Sequence, residues 1–235
     1  MNATLLFAFW RQRLASPIRV VILALMVLVP PALISAIRGL GLAQLGDAIP
    51  LAMVLAVGMI GQDVSSGVLQ LIFARPVRRS EYVLSRWLAV SLGASLASLL
   101  QIGLYVALAA ARGAAPSADV VLQFALGREL QIFGVAATMA LLSSLIGGVG
   151  DLAIYALLTI SGGVVSMIGQ LRQSSVITWI GHEIGTLVSP RLEIAQLVAG
   201  SPSWFAIATY ASNLTLCLLL AILILNRKEL SYASG

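Results

Sequence analysis

The chain has 235 residues, 60% of them apolar and only 10% charged, with a mean hydropathy of +1.01 and a formal net charge of +5. A soluble domain is roughly 45–50% apolar and about 25% charged, so a water-soluble fold is excluded, and the basic residues fall where apolar runs end rather than in a nucleic-acid-binding patch. A disulfide framework or thiolate metal cluster is excluded as well, because Cys217 is the single cysteine and lies inside an apolar run, as a packing residue.

The runs approach the ~20 residues that a helix needs to cross hydrocarbon and lack the alternation of barrel strands. An all-α integral membrane fold in a single domain, 1–235, is therefore expected. Before the first run Leu6, Trp10 and Leu14 recur at helical spacing, while Thr4, Ala8, Arg11 and Ala15 take another face. That pattern predicts an interfacial helix over residues 1–17, ended by Pro17. No small-residue cleavage site follows, so this segment is expected to stay attached.

Six spans are predicted: Ile18 to Ile37, Leu42 to Gly61, Trp87 to Ala111, Leu130 to Gly147, Leu152 to Gly169, and Trp204 to Leu225. In the first, Pro30 and Pro31 remove adjacent amide donors, which predicts a kink whose freed carbonyls need partners from neighbouring groups. In the third, Ser91, Gly93, Ala94, Ser95, Ala97 and Ser98 let backbones approach closely. Gly162 and Gly163 mark a close approach or a flexible point in the fifth. Gln101, Thr138, Asn213 and Thr215 are polar at membrane depth, either to bond between helices or to line a path. The centres of all six predicted spans lack Asp, Glu, Lys, Arg and His, which counts against an ion-driven carrier.

With both termini in the cytoplasm, the inner segments carry Arg11, Arg13, Arg19, Arg75, Arg78, Arg79, Arg86, Arg227 and Lys228, and the outer ones Arg38, Arg112, Arg128, Arg172 and Arg191. The positive-inside rule favours this orientation. In the outer segment, residues 170–203, Ile177, Ile180, Ile184 and Leu187 share a helical face, Ser189 and Pro190 have the form of an N-cap and first helical residue, and Gly200 and Pro202 supply a stop. Two short amphipathic helices are expected there, packed at the surface or dipping into it. They gate an exit, dock an external partner or cover the bundle, with His182, Glu183 and Arg191 as the residues placed to do so.

Between spans 2 and 3 runs GQDVSSGVLQLIFARPVRRSEYVLSRW, too polar to span and too patterned for an irregular loop. Val64, Val68, Leu71 and Ile72 form an apolar stripe opposite Asp63, Ser66, Gly67 and Gln70. Pro76 breaks the helix, after which Ser80 is placed to cap the third span and Glu81 falls in its first turn. A short helix, a basic turn and a membrane helix follow one another over residues 62–80.

The order Asp63, Gly67, Leu69, Leu71, Pro76, Val77, Arg78 and Arg79 resembles the signature after the second membrane helix of ABC-2-type transporter permeases, although the family more often has Glu at the acidic position and a Gly-Thr pair where Gly67 is followed by Val68. The six spans, the N-terminal interfacial helix, the outer segment and the ending Asn226-Arg227-Lys228-Glu229-Leu230 resemble that family too. The resemblance implies that Asp63 to about Phe73 is a coupling helix seated in a groove of an ATPase. Asp63 and Gln70 would make polar contacts there, Gly67 would allow close approach, Leu71 would anchor beneath the bilayer, and Arg79 would meet the interface or lipid headgroups. It further implies a bacterial cytoplasmic (inner) membrane, two copies of a separate ATPase that bind ATP and Mg, a second permease copy as homodimer or heterodimer, and export of cargo or work on an extracytoplasmic partner. The chain itself has no G-x-x-x-x-G-K-[ST] phosphate loop, so no cofactor is assigned to it. It also lacks G-x-S-x-G, and one histidine with scattered carboxylates makes no metal-ligand set. The alternative is an ATP-independent channel, carrier or membrane scaffold.

Overall fold

The computed structural model describes residues 3–37, 39–74, 77–192, 194 and 203–228. Regular structure among them is helical: α1 (Ala3–Leu14), α2 (Pro17–Ala36), a 3-10 turn (Leu42–Leu45), α3 (Ile49–Ala56), α4 (Gly61–Ser65), α5 (Val68–Phe73), α6 (Arg79–Ala110), α7 (Ala118–Leu145), α8 (Gly150–Leu171), α9 (Ser175–Val188) and α10 (Trp204–Arg227). Six stretches are long and apolar enough to cross a membrane: α2, Leu42–Ser65, α6, α7, α8 and α10. They are compatible with a multi-pass membrane protein. Spans 2, 3 and 4 form the interior, whereas only 11% of the first span and 17% of the fifth and sixth are buried within the chain.

Arg13, Arg19, Arg79, Arg86 and Lys228 gather at one end of the bundle, called here the basic end, through their contacts with Gln62, Asp63, Leu145 and Leu225. There α1 packs onto α6 through Phe9, which is buried, with Leu6 and Trp10 beside it. Leu14, expected on that face, is 52% exposed, and Arg13 takes its place inside at 2%. Trp10 fastens the helix by donating from Nε1 to the Ala89 carbonyl at 2.7 Å.

The first span remains helical through Pro30 and Pro31. Pro30 has no N–H for the carbonyl four residues back, that of Met26. Gln101 of α6 supplies the missing donor, its Nε2 lying 2.7 Å from that oxygen.

The second span is not one helix but three pieces, because Gly46, at φ +67, and Gly58, at φ +66, each take a left-handed turn. Broken backbone survives at membrane depth only where protein groups satisfy it. Around the break at 57–60 they do. Arg13 donates to the Val57 carbonyl at 2.7 Å, Asp151 accepts from the Gly58 amide at 2.8 Å, and the Ser143 hydroxyl accepts from the amides of Ile60 and Gly61 at 3.0 and 2.9 Å.

Two spans begin earlier than expected. The third starts at Arg79, with Arg78 rather than Ser80 at its N-cap and Glu81 accepting from the Arg78 amide at 3.4 Å. The fourth starts at Ala118 rather than Leu130. Ser91, Ala94, Ser95, Ala97 and Ser98 are buried, as close packing requires.

In the segment between the last two spans, α9 folds back along α8 as an antiparallel hairpin. A Cβ on Gly169 would lie 2.4 Å from the Thr178 amide nitrogen, and one on Gly181 2.3 Å from that of Ser166. Gly162 makes a third close approach, while Gly163 faces open space. The stripe Ile177, Ile180, Ile184 and Leu187 is split: Ile184 packs against Gly162, while Ile180 and Leu187 are 42% and 57% exposed and the glycines take much of the contact. Ser189 ends α9 instead of starting a helix, and Pro190 lies against Gly134 of α7. The expected second outer helix and its stop at Gly200 and Pro202 lie outside the described residues.

Candidate functional site

The segment between spans 2 and 3 divides at Gly67. That residue adopts φ +72 with nothing within 4 Å of where a Cβ would stand, so its role is a left-handed turn between α4 and α5 rather than close packing within the chain. Beyond the turn Leu69 is buried at 1%, Ile72 and Phe73 pack partly onto the core, and Val68 and Leu71 point outward at 37% and 72% exposure. Gln70 is half-buried. Pro76 and Arg75 lie outside the described residues.

Asp63 departs from its expected place on an outward polar face. It is 2% exposed and forms an ion pair with Arg86, accepts from the Tyr82 hydroxyl, and accepts weakly from Gln12 Nε2 at 3.4 Å. The Arg86 guanidinium lies 4.6 Å from the Phe9 ring centroid and 5.1 Å from that of Tyr82, and reaches Gln12 Oε1 at 3.2 Å. One carboxylate thus ties α4 to α1 and α6. Arg13 stands next to this cluster, bonded to Gln62 Oε1 at 3.3 Å. Burial is the main reason its pKa falls to about 10, with repulsion from Arg19 and Arg86 adding to it, which still leaves it charged at neutral pH.

Arg79 also turns inward. Its Nη1 donates to the carbonyls of Leu225 at 2.6 Å and Asn226 at 2.7 Å, and more weakly to Lys228 at 3.4 Å. A cation there suits the negative end of the α10 dipole and satisfies carbonyls that the helix leaves unbonded. Phe73 of α5 lies beneath the same guanidinium at 5.6 Å. Lys228 in turn donates to the Leu145 carbonyl at the end of α7, at 3.3 Å. The sequence marked Asp63 and Arg79 but not Arg13, Tyr82, Arg86, Ser143 or Asp151, whose partners lie far away along the chain.

At the other end His182, Glu183 and Arg191 line one cleft of about 510 Å³ with Trp179, Tyr210 and Asn213. Asn213 donates to the Thr186 and Leu187 carbonyls at 3.3 and 3.2 Å, and Arg191 forms an exposed ion pair with Asp47 at 2.8 Å. Among the described residues no group of three or more His, Cys, Asp and Glu is placed to hold a metal ion.

The early start of α7 brings ionisable residues into a span. Arg128 lies ten residues past Ala118, about 15 Å along the helix, and is 4% exposed. Its Nη2 donates to Gln101 Oε1 at 2.6 Å, and its guanidinium stands 5.4 Å from the Phe124 ring. Glu129 beside it faces Ser95 and Ser98 of α6. Both residues precede the predicted fourth span, which began at Leu130, so the longer helix carries charge that the predicted span did not.

No family model, curated protein or solved structure matches this chain.

Proposed function

We propose that this chain is the membrane-spanning permease subunit of an ATP-driven transporter of the ABC-2 type, with its ATPase on a separate polypeptide. The observation that carries the reading is the α4–α5 segment, which presents Val68 and Leu71 outward while Asp63, Tyr82, Arg86 and Arg79 brace it from within to α1, α6 and α10. An element that transmits a push must expose a gripping surface and be stiffly joined to what it moves. Asp63 and Arg79 then act as braces, and the contact with the ATPase falls to Val68, Leu71 and Gln70. A homodimer or heterodimer of such chains, two ATPase copies holding ATP and Mg, and export or work on an outer partner at the His182–Glu183–Arg191 cleft complete the proposal, with both termini in the cytoplasm of a bacterial inner membrane.

Gentle extraction of the tagged chain, followed by identification of associated proteins, tests it. A nucleotide-binding subunit should be retained by the native chain and lost from Leu71→Glu, with the bundle still folded. Absence of such a subunit from the native preparation would refute the reading. A second reading, an ATP-independent carrier, is favoured by Arg128 and Glu129 within the fourth span, since ionisable groups at depth mark transport paths. Ion-driven uptake by vesicles holding this chain alone would support it.

A further inference from the structure

An apolar groove of about 380 Å³ opens on the side of the bundle between α1, α2 and α6. Val20, Ala24 and Leu28 of α2 face Leu96 and Leu100 of α6 across it, and Trp10 and Leu14 of α1 close its base. Val20 to Leu28 is eight residues, about 12 Å of helix, so the groove runs along the span from the interfacial helix towards the bundle's middle. Its walls offer water almost no polar partner, and left unfilled they forfeit dispersion contacts. Four of the flanking side chains, Leu14, Leu28, Leu96 and Leu100, are between 52% and 58% exposed.

The base of the groove is basic. Arg13 lines it and is buried with its Nε lacking a hydrogen-bond partner, and Arg19, next to the lining residue Val20, is half-buried with one long contact to Gln62 Oε1 at 3.5 Å. Of the two carboxylates near this corner, Asp63 is neutralised by Arg86, and Asp151, held by the amides of Gly58 and Leu152, leaves one negative charge against Arg13 and Arg19. An apolar slot parallel to the spans with uncompensated positive charge at one end matches an amphiphile with an anionic head.

We infer that this groove is a binding site for one anionic phospholipid of the leaflet at the basic end. An acyl chain fills the slot between α2 and α6, and the phosphate lies against Arg19, with Arg13, which lines the groove, behind it. Because Arg13 and Arg19 both reach Gln62, the residue before Asp63, the lipid head touches the same corner that braces α4. The inference is independent of any ATPase.

Trp10 reports occupancy directly. The full chain carrying Trp179→Phe and Trp204→Phe, both exposed positions at 61% and 75%, is reconstituted into vesicles containing either phosphatidylglycerol or phosphatidylcholine with brominated acyl chains, and tryptophan quenching is measured. Brominated phosphatidylglycerol should quench at lower mole fraction than brominated phosphatidylcholine. Ala24→Phe, which fills the slot without touching a polar group, should remove the Trp10 component, and Val20→Phe serves if that variant does not reconstitute. Arg19→Gln should reduce the preference for the anionic lipid about fivefold, the effect of one basic residue near an anionic surface. Equal quenching by the two lipids, undiminished quenching in the filled variants, or an unchanged preference in Arg19→Gln would overturn the inference.

Discussion

Replacing Asp63 by Asn keeps the side chain's shape but removes the charge that Arg86 faces. Arg86 and Asp63 are 7% and 2% exposed, so the variant leaves a buried guanidinium between the Phe9 and Tyr82 rings. Removing one partner of a buried pair costs about 3–5 kcal/mol, whereas an exposed pair is worth about 0–1 kcal/mol. The Asp47–Arg191 pair, with side chains 47% and 58% exposed, provides the control. At about 2–4 °C per kcal/mol for a chain of this size, Asp63→Asn should lower the melting temperature by roughly 6–20 °C, and Asp47→Asn by less than about 4 °C. Thermal unfolding of the purified chain in one detergent, followed by intrinsic fluorescence, measures both. The double variant Asp63→Leu with Arg86→Met should recover part of the loss, because two apolar side chains leave no stranded charge. Equal shifts for the two single variants would refute the brace. So would a variant Asp63→Asn that melts like the native chain yet loses binding to the proposed ATPase, since that outcome makes Asp63 an outward contact.

Gly67→Ala should cost about 1–2 kcal/mol from left-handed strain with no clash, since the space beside it is open, and Gly67→Asn should cost less; thermal melts of the two variants check this. Gln101→Leu strands the Met26 carbonyl and one Arg128 donor, at about 1–3 kcal/mol. Adding Pro30→Ala to that variant restores an amide for the carbonyl, so a double-mutant cycle should show a favourable coupling. Gly169→Ala pushes a Cβ into the Thr178 backbone and should destabilise the α8–α9 hairpin by about 1–3 kcal/mol, whereas Gly163→Ala, facing open space, should stay within about 0.5 kcal/mol of native in the same melts.

Local patterns carried the parts of this fold that sequence reading found. Hydropathy located six spans, because a bilayer imposes nearly the same length on each, and the Pro30–Pro31 pair signalled freed carbonyls well enough that a donor such as Gln101 was anticipated in kind. The second span read as continuous because Gly46 and Gly58 break a run whose hydropathy does not change there. The fourth span read short because Arg128 and Glu129 lower the local hydropathy while other helices shield them. Asp63 was misplaced for a related reason: helical periodicity assigns a polar residue to the outward face unless its partners are known, and Arg86 lies 23 positions away. Likewise α9 packs largely through glycines, which carry no signal on a hydropathy scale, and turns Ile180 and Leu187 outward.

The break in the second span has a consequence for how the protein is made. The amides of Ile60 and Gly61 depend on Ser143, 83 and 82 positions later, and that of Gly58 on Asp151, 93 positions later. At translation rates of about 5–20 residues per second, roughly 5–20 s separate Gly58 from its acceptor. During that interval the broken geometry at 57–60 lacks its side-chain acceptors, which lipid cannot replace, whereas a continuous helix satisfies the same amides from carbonyls four residues back. The native break is therefore completed only after the start of the fifth span has emerged, late in synthesis rather than in chain order.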